Sequence, residues 1–176
     1  MKAAVTLGAD LTVGSEEPNA MAAANPTGFL TLPFHDRERA VALAAEFASR
    51  HPVHAVVGVD DDTAALAAAI AERLGIPANP VSAADAARNK AESRERLARA
   101  GLPVPAFVRL PAGLPAAEAA IRARASIGYP CVIKPLVLAA SRGVIRADDD
   151  AAFAAAYARV GRILEDPEVA ACGAPA

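Results

Sequence analysis

Residues 75–80, Gly75-Ile76-Pro77-Ala78-Asn79-Pro80, constrain the fold more than any other stretch of the sequence. Two prolines and a glycine in six residues cannot continue a helix, because proline lacks the amide hydrogen a helix uses and its ring collides with the preceding turn. The chain is therefore expected to break here, at a linker or domain edge.

Before the break the pattern alternates. Leu11-Thr12-Val13-Gly14 and Gly28-Phe29-Leu30-Thr31-Leu32 are short strand candidates joined by a polar, alanine-rich connection. Asp36 is placed to cap a helix running to about Arg50, with Leu43 and Phe47 four residues apart on one face. His54-Ala55-Val56-Val57-Gly58-Val59 reads as another strand, and Asp60-Asp61-Asp62 leads into a helix with Leu66, Ile70 and Leu74 along one side. Strand followed by helix points to a parallel sheet. The three acids sit at a strand's carboxyl end, where open α/β sheets bind ligands. The simpler reading is that Asp62 caps the helix while the other two face water.

After the break, a short helix from Ser82 precedes a charged helix from Lys90 to Ala100, stopped by Gly101 and Pro103. The strand candidate Ala106-Phe107-Val108-Arg109-Leu110 and a helix from about Pro115 to Ile127 come next. Then follow the apolar run Cys131-Val132-Ile133, the strand candidate Gly143-Val144-Ile145-Arg146, and a helix after Asp148 bearing Phe153, Ala156, Val160 and Leu164. The expected class is α/β followed by α+β, with domains over 1–80 and 81–165 and an unstructured tail over 166–176.

Composition narrows the partners. The 176 residues are 54% hydrophobic but only 4% aromatic, so alanine and branched aliphatics carry the apolar content, favouring helices and thin interiors. A net charge of -2 offers no electrostatic footprint for nucleic acid or an anionic membrane. No apolar stretch approaches the ~20 residues of a membrane span. Cys131 and Cys172 are too far apart in sequence for a redox pair or zinc motif, and His35, His51 and His54 show no ligand spacing with either. A cytoplasmic location and small-molecule partners are expected.

Two lysines stand out. Lys134 ends the apolar run Cys131-Val132-Ile133, and on a well-buried strand its ammonium needs an anionic partner. A snorkelling side chain on an edge strand is the alternative. The following loop ends in Ser141-Arg142-Gly143, which offers a hydroxyl, a guanidinium and open backbone amides of the kind phosphate oxygens accept. In Asn89-Lys90, Asn89 is a good helix cap, whereas Lys90 places a cation at the positive end of the helix. A bound anion would reverse that sign argument; a solvated lysine needs none.

These lysines, about forty residues apart, one opening a helix and one closing a strand before a Ser-Arg-Gly loop, resemble the ATP-grasp family. The segment 75–80, Asn89-Lys90, Leu97 with Ala100-Gly101-Leu102-Pro103-Val104-Pro105, and Gly128-Tyr129-Pro130-Cys131-Val132-Ile133-Lys134-Pro135 are similar to its consecutive landmarks. The resemblance implies a partial Rossmann-like pre-ATP-grasp domain followed by the N-terminal, ATP-binding lobe of an ATP-grasp domain. It implies ATP as cofactor, with Lys90 and Lys134 on its phosphates and the loop through Ser141, Arg142 and Gly143 folded over them. It also implies Mg2+ and a reaction in which a carboxylate is activated as an acyl phosphate and attacked by an amine or similar nucleophile.

The sequence departs from the family in two respects. The loop, usually rich in glycine and serine, here reads Leu138-Ala139-Ala140 before Ser141. The metal-binding lobe would follow the last helix, where twelve residues remain after Leu164, and only Met1 to Asp10 precede the first strand candidate. Ala3 to Leu7 fits the remnant of a leading helix. The chain is accordingly expected to be truncated at both ends and inactive as a ligase alone. The alternative is a non-catalytic binding or assembly module, homo-oligomeric or paired with a subunit that carries the metal-binding lobe. A small dinucleotide-binding protein is disfavoured, since no Gly-x-Gly-x-x-Gly follows a strand candidate.

Overall fold

The structure, a computed structural model, describes residues 2–18, 20, 22, 25, 28–167 and 169. Two compact units divide the chain, Met1–Ala84 and Asp85–Ala176. The expected tail lies largely outside the described residues, as does Cys172.

The first unit opens with helix α1 (Lys2–Thr6), where a short leading helix was expected. Strands β1 (Val13–Ser15) and β2 (Phe29–Thr31) pair in parallel, with Val13 opposite Phe29 and Ser15 opposite Thr31. Helices α2 (Arg37–Arg50) and α3 (Asp61–Leu74) pack against each other. Their starts are fixed by side chains that satisfy otherwise unpaired amides. The Asp36 carboxylate accepts from the Arg39 amide at 3.0 Å, and that of Asp60 from the Thr63 amide at 2.7 Å. Asp60, not Asp62, is thus the cap of α3, while Asp61 and Asp62 sit in its first turn, where the helix dipole favours negative charge. Gly75, at φ 67, ends α3 in the left-handed conformation just before the two prolines.

Leu32, Ala40, Ala44, Leu66 and Ile70 form this unit's core, with Leu30, Phe34 and Val56 packed on it. Small alanines at the α2–α3 contact let the two helices approach closely. The strand expected over 54–59 forms no ladder. Val56 reaches the core, whereas Val57 and Val59 are 79% and 91% exposed. The cause lies at Gly58, where a Cβ would stand 2.8 Å from Ala64 Cα. The backbone is pressed onto the start of α3, where apolar side chains on its far side find no cover.

The chain passes into the second unit within helix α4 (Val81–Arg88). Helices α5 (Lys90–Arg99) and α6 (Ala116–Ser126) lead to strand β3 (Cys131–Ile133), and strand β4 (Ile145–Ala147) to helix α7 (Asp150–Leu164). The strands are antiparallel, Cys131 opposite Ala147 and Ile133 opposite Ile145, and α7 packs on both strands and on α6. Asp149, one residue later than expected, caps α7 by accepting from the Ala152 amide at 2.8 Å. The core is thin: Ala119, Ala120 and Ala123 from α6 meet Cys131, Ala147 and the one large side chain, Phe153. Tyr129 packs on this cluster, and burial together with the neighbouring Asp150 carboxylate pushes its hydroxyl up to about 12.

The strand expected over 106–110 does not form among the described residues. Leu110 nevertheless packs on the core, Arg109 reaches Glu95 of α5 at 3.3 Å, and the Tyr157 hydroxyl donates to the Pro111 carbonyl. These contacts hold the segment beside the sheet without bringing its backbone into a ladder.

Candidate functional site

Lys134 immediately follows β3. Side chains alternate along a strand, and Cys131 and Ile133 face the α6–α7 core, so Val132 and Lys134 share the opposite face. Val132 is 48% exposed and Lys134 is exposed. The expected burial of the lysine is therefore corrected: the run is too short to enclose its last residue, and the ammonium stands clear of the core. Among the described residues no hydrogen bond or ion pair engages it.

A cavity of about 480 Å³ opens beside it within the second unit. Residues 130–136 form one wall and 105–110 another, with α5 and α7 completing it. Its size lies inside the range of roughly 300–1,000 Å³ typical of small-molecule sites. Lys90, Arg94, Arg109 and Lys134 line it, and no aspartate or glutamate does. An apolar hollow with cations on its wall and no acid favours an anionic occupant.

Lys90 reaches the same cavity from α5. Asn89 caps that helix as expected, its side chain accepting from the Ala91 and Glu92 amides at 3.1 Å each. The Lys90 amide donates to the Leu136 carbonyl at 3.0 Å, and its Nζ donates to the carbonyls of Leu138 at 2.7 Å and Leu136 at 3.4 Å. Carbonyl oxygens thus stand where a bound anion was considered, and they offset the unfavourable position of the cation at the helix start. They also tie α5 to the chain leaving β3, so both lysines meet around one loop.

In that loop Ala140 and Ser141 take φ of 53 and 59, and the Arg142 amide donates to the Ala139 carbonyl at 3.2 Å. Two consecutive residues at positive φ are the geometry for which glycine and asparagine are preferred, and each other L-residue there costs about 1–2 kcal/mol. Gly143, at φ 71, is obligatory on a second count: a Cβ would lie 2.8 Å from Pro135 Cγ. The backbone demands glycine-like conformations where the sequence supplies alanine and serine. Ala140→Gly is expected to stabilise the chain by about 0.5–1 kcal/mol, the relieved strain exceeding the added freedom of the unfolded chain. Denaturant unfolding checks this; a clear loss of stability would show that the turn is unstrained.

Of the sequence-derived candidates, Lys90 and Lys134 line the cavity; Ser141, Arg142 and Gly143 form the turn and are not among its lining residues. Sequence reasoning missed Val132, Arg94 and Arg109. Val132 was legible as the residue two before Lys134, on the same strand face. Arg94, whose guanidinium lies 5.8 Å from the Phe107 ring centroid, had no sequence signal. Among the described residues no three of His, Cys, Asp and Glu come together as a metal site. No helix there is long and apolar enough to cross a membrane.

Residues 1–78 match the sequence family described as the ATP-grasp N-terminal domain. Among solved structures, the L-amino acid ligase from Bacillus licheniformis is similar at a TM-score of 0.58 and 26% identity, over 75% of this chain and 30% of that one. The chain thus spans less than a third of that ligase. No curated protein matches it significantly. The family resemblance expected from the sequence is borne out.

Proposed function

We propose, for this chain whose residues 1–78 match the ATP-grasp N-terminal domain family, that its second unit is the ATP-binding part of a ligase joining a carboxylate to an amine or similar nucleophile through an acyl phosphate. The observation that carries the reading is Lys134, unengaged at the mouth of an acid-free cavity beside Lys90. Its ammonium is free to meet phosphate oxygens, and Val132 on the same face offers an apolar surface for the rest of a nucleotide. Serine and arginine of the 141–143 turn follow at the end of the same loop. ATP would bring the leaving group and the charge; the residues here would hold and orient it. The Mg2+ that the family implies has no three-residue ligand group among the described residues, and no step is assigned to it. The nucleophile and acyl group belong to a whole protein of which this chain resembles a part.

Equilibrium binding of a non-hydrolysable ATP analogue tests the reading. Weak binding is expected, and at least ~10-fold weaker in Lys134→Ala, since one charge-assisted hydrogen bond is worth about 1.5–3 kcal/mol and each 1.4 kcal/mol is a factor of about ten. Equal binding by both proteins would end the phosphate role of Lys134. A second reading, a non-catalytic module that pairs with another chain, is supported by Val132 and Val144, 48% and 40% exposed. Under it the purified chain should self-associate or capture a partner subunit, and a solution mass of one chain at all concentrations argues against self-association.

A further inference from the structure

Helix α7 lines the cavity through Phe153, Tyr157, Val160, Gly161 and Leu164, the spacing of a single helix face. Gly161 is anomalous there. Glycine is the poorest helix former after proline, and a Cβ at this position would meet nothing within 4 Å, so no described neighbour requires it. The glycine leaves room in the cavity that the chain itself does not fill. That room lies on the side of β3 toward which Cys131 and Ile133 turn, with Val132 and Lys134 on the opposite face.

The charge on the cavity wall selects the occupant. Of its four cations, Arg109 pairs with Glu95, Lys90 donates to the Leu136 and Leu138 carbonyls, and Lys134 stands on the outer face. Arg94 is half-buried, its guanidinium 5.8 Å from the Phe107 ring centroid, and no acid pairs with it among the described residues. A cation taken partly out of water without a counter-ion is costly, and a carboxylate relieves that cost through charge-assisted hydrogen bonds. The α7 side of the cavity is otherwise apolar, since Tyr157 commits its hydroxyl to the Pro111 carbonyl. We infer that this inner hollow binds an apolar monocarboxylate, its carboxylate on Arg94 and its hydrocarbon part against Val160, Gly161 and Leu164. One uncommitted cation matches one negative charge, whereas a polyphosphate needs several. The cavity of about 480 Å³ is also well above the ~150 Å³ at which an apolar protein cavity already takes up benzene. The site is separate from the nucleotide surface and does not rest on that reading.

Titration calorimetry of the full chain with octanoate, hexanoate and the uncharged octanamide tests the site. Octanoate should bind about fourfold more tightly for each methylene it has beyond hexanoate, and at least ~10-fold more tightly than octanamide. Arg94→Met, which keeps the stem beside Phe107, should bring octanoate down to the affinity of octanamide and leave octanamide unchanged. Gly161→Leu fills the hollow from a better helix former, so it should abolish binding while raising the urea midpoint, which separates lost binding from lost folding. Failure of octanoate to bind the wild type overturns the proposal. Equal octanoate affinity in Arg94→Met overturns the carboxylate contact, and full affinity in a folded Gly161→Leu overturns the location. Displacement of octanoate by a non-hydrolysable ATP analogue would merge the two sites and overturn their separation, whereas failure of the analogue to bind bears on the nucleotide reading alone.

Discussion

Phe153→Ala should destabilise the second unit by about 3–5 kcal/mol, the largest effect of any single truncation proposed for this chain. Phe153 is 2% exposed, and the buried residues around it are Ala119, Ala120, Ala123, Cys131 and Ala147, none of which can reach into the space its ring fills. The ring also contacts Tyr129 and Tyr157, at centroid distances of 6.2 and 6.4 Å, so its loss strands both. One factor lowers the figure: Phe153 already borders the cavity, so fewer atoms surround it than in a closed core. The lower half of the range is therefore expected. The chain has two tyrosines and no tryptophan, and both tyrosines, Tyr129 and Tyr157, lie in the second unit, so tyrosine fluorescence during urea unfolding follows that unit. A loss below about 1 kcal/mol would mean that the alanine faces, not Phe153, hold the helices to the sheet.

What was legible in the sequence follows from how local each signal is. The helices were readable because their caps are: Asp36, Asn89 and Gly75 act within one turn of where they stand. The errors concern features set by tertiary contact. Residues 54–59 and 106–110 have strand composition, yet pairing needs a neighbour at the right distance, and α3 at Gly58 and α5 at Glu95 hold these segments elsewhere. The exposure of Lys134 was misjudged for the same reason: three apolar residues before it suggested burial, but only alternate ones face the core. At the site, the sequence brought the two lysines forward as separate anomalies. That they share one cavity, and that Lys90 already has carbonyl partners, depends on contacts 46 and 48 residues apart.

Lys90→Met decides between two views of that lysine by the sign of its effect. The substitution keeps an unbranched stem and removes the charge and all three donors. Were Lys90 merely a solvated cation at the start of α5, its loss would relieve repulsion with the helix dipole and stabilise the chain by about 0.3–1 kcal/mol. The contacts to the Leu136 and Leu138 carbonyls predict the opposite. Leu138 is buried, so its carbonyl has little water to turn to, and a charged donor lost from a buried acceptor costs about 1.5–3 kcal/mol. Subtracting the relieved repulsion leaves a destabilisation of about 1–2 kcal/mol. It should be accompanied by faster amide exchange across 136–144, since the loop loses its tie to α5. A more stable variant with unchanged exchange would refute the clamp. The same contacts set a condition on nucleotide binding: if Lys90 is to meet phosphate, its Nζ must leave Leu138, so an ATP analogue should loosen 136–144 in the wild type and leave that segment unaffected in Lys90→Met.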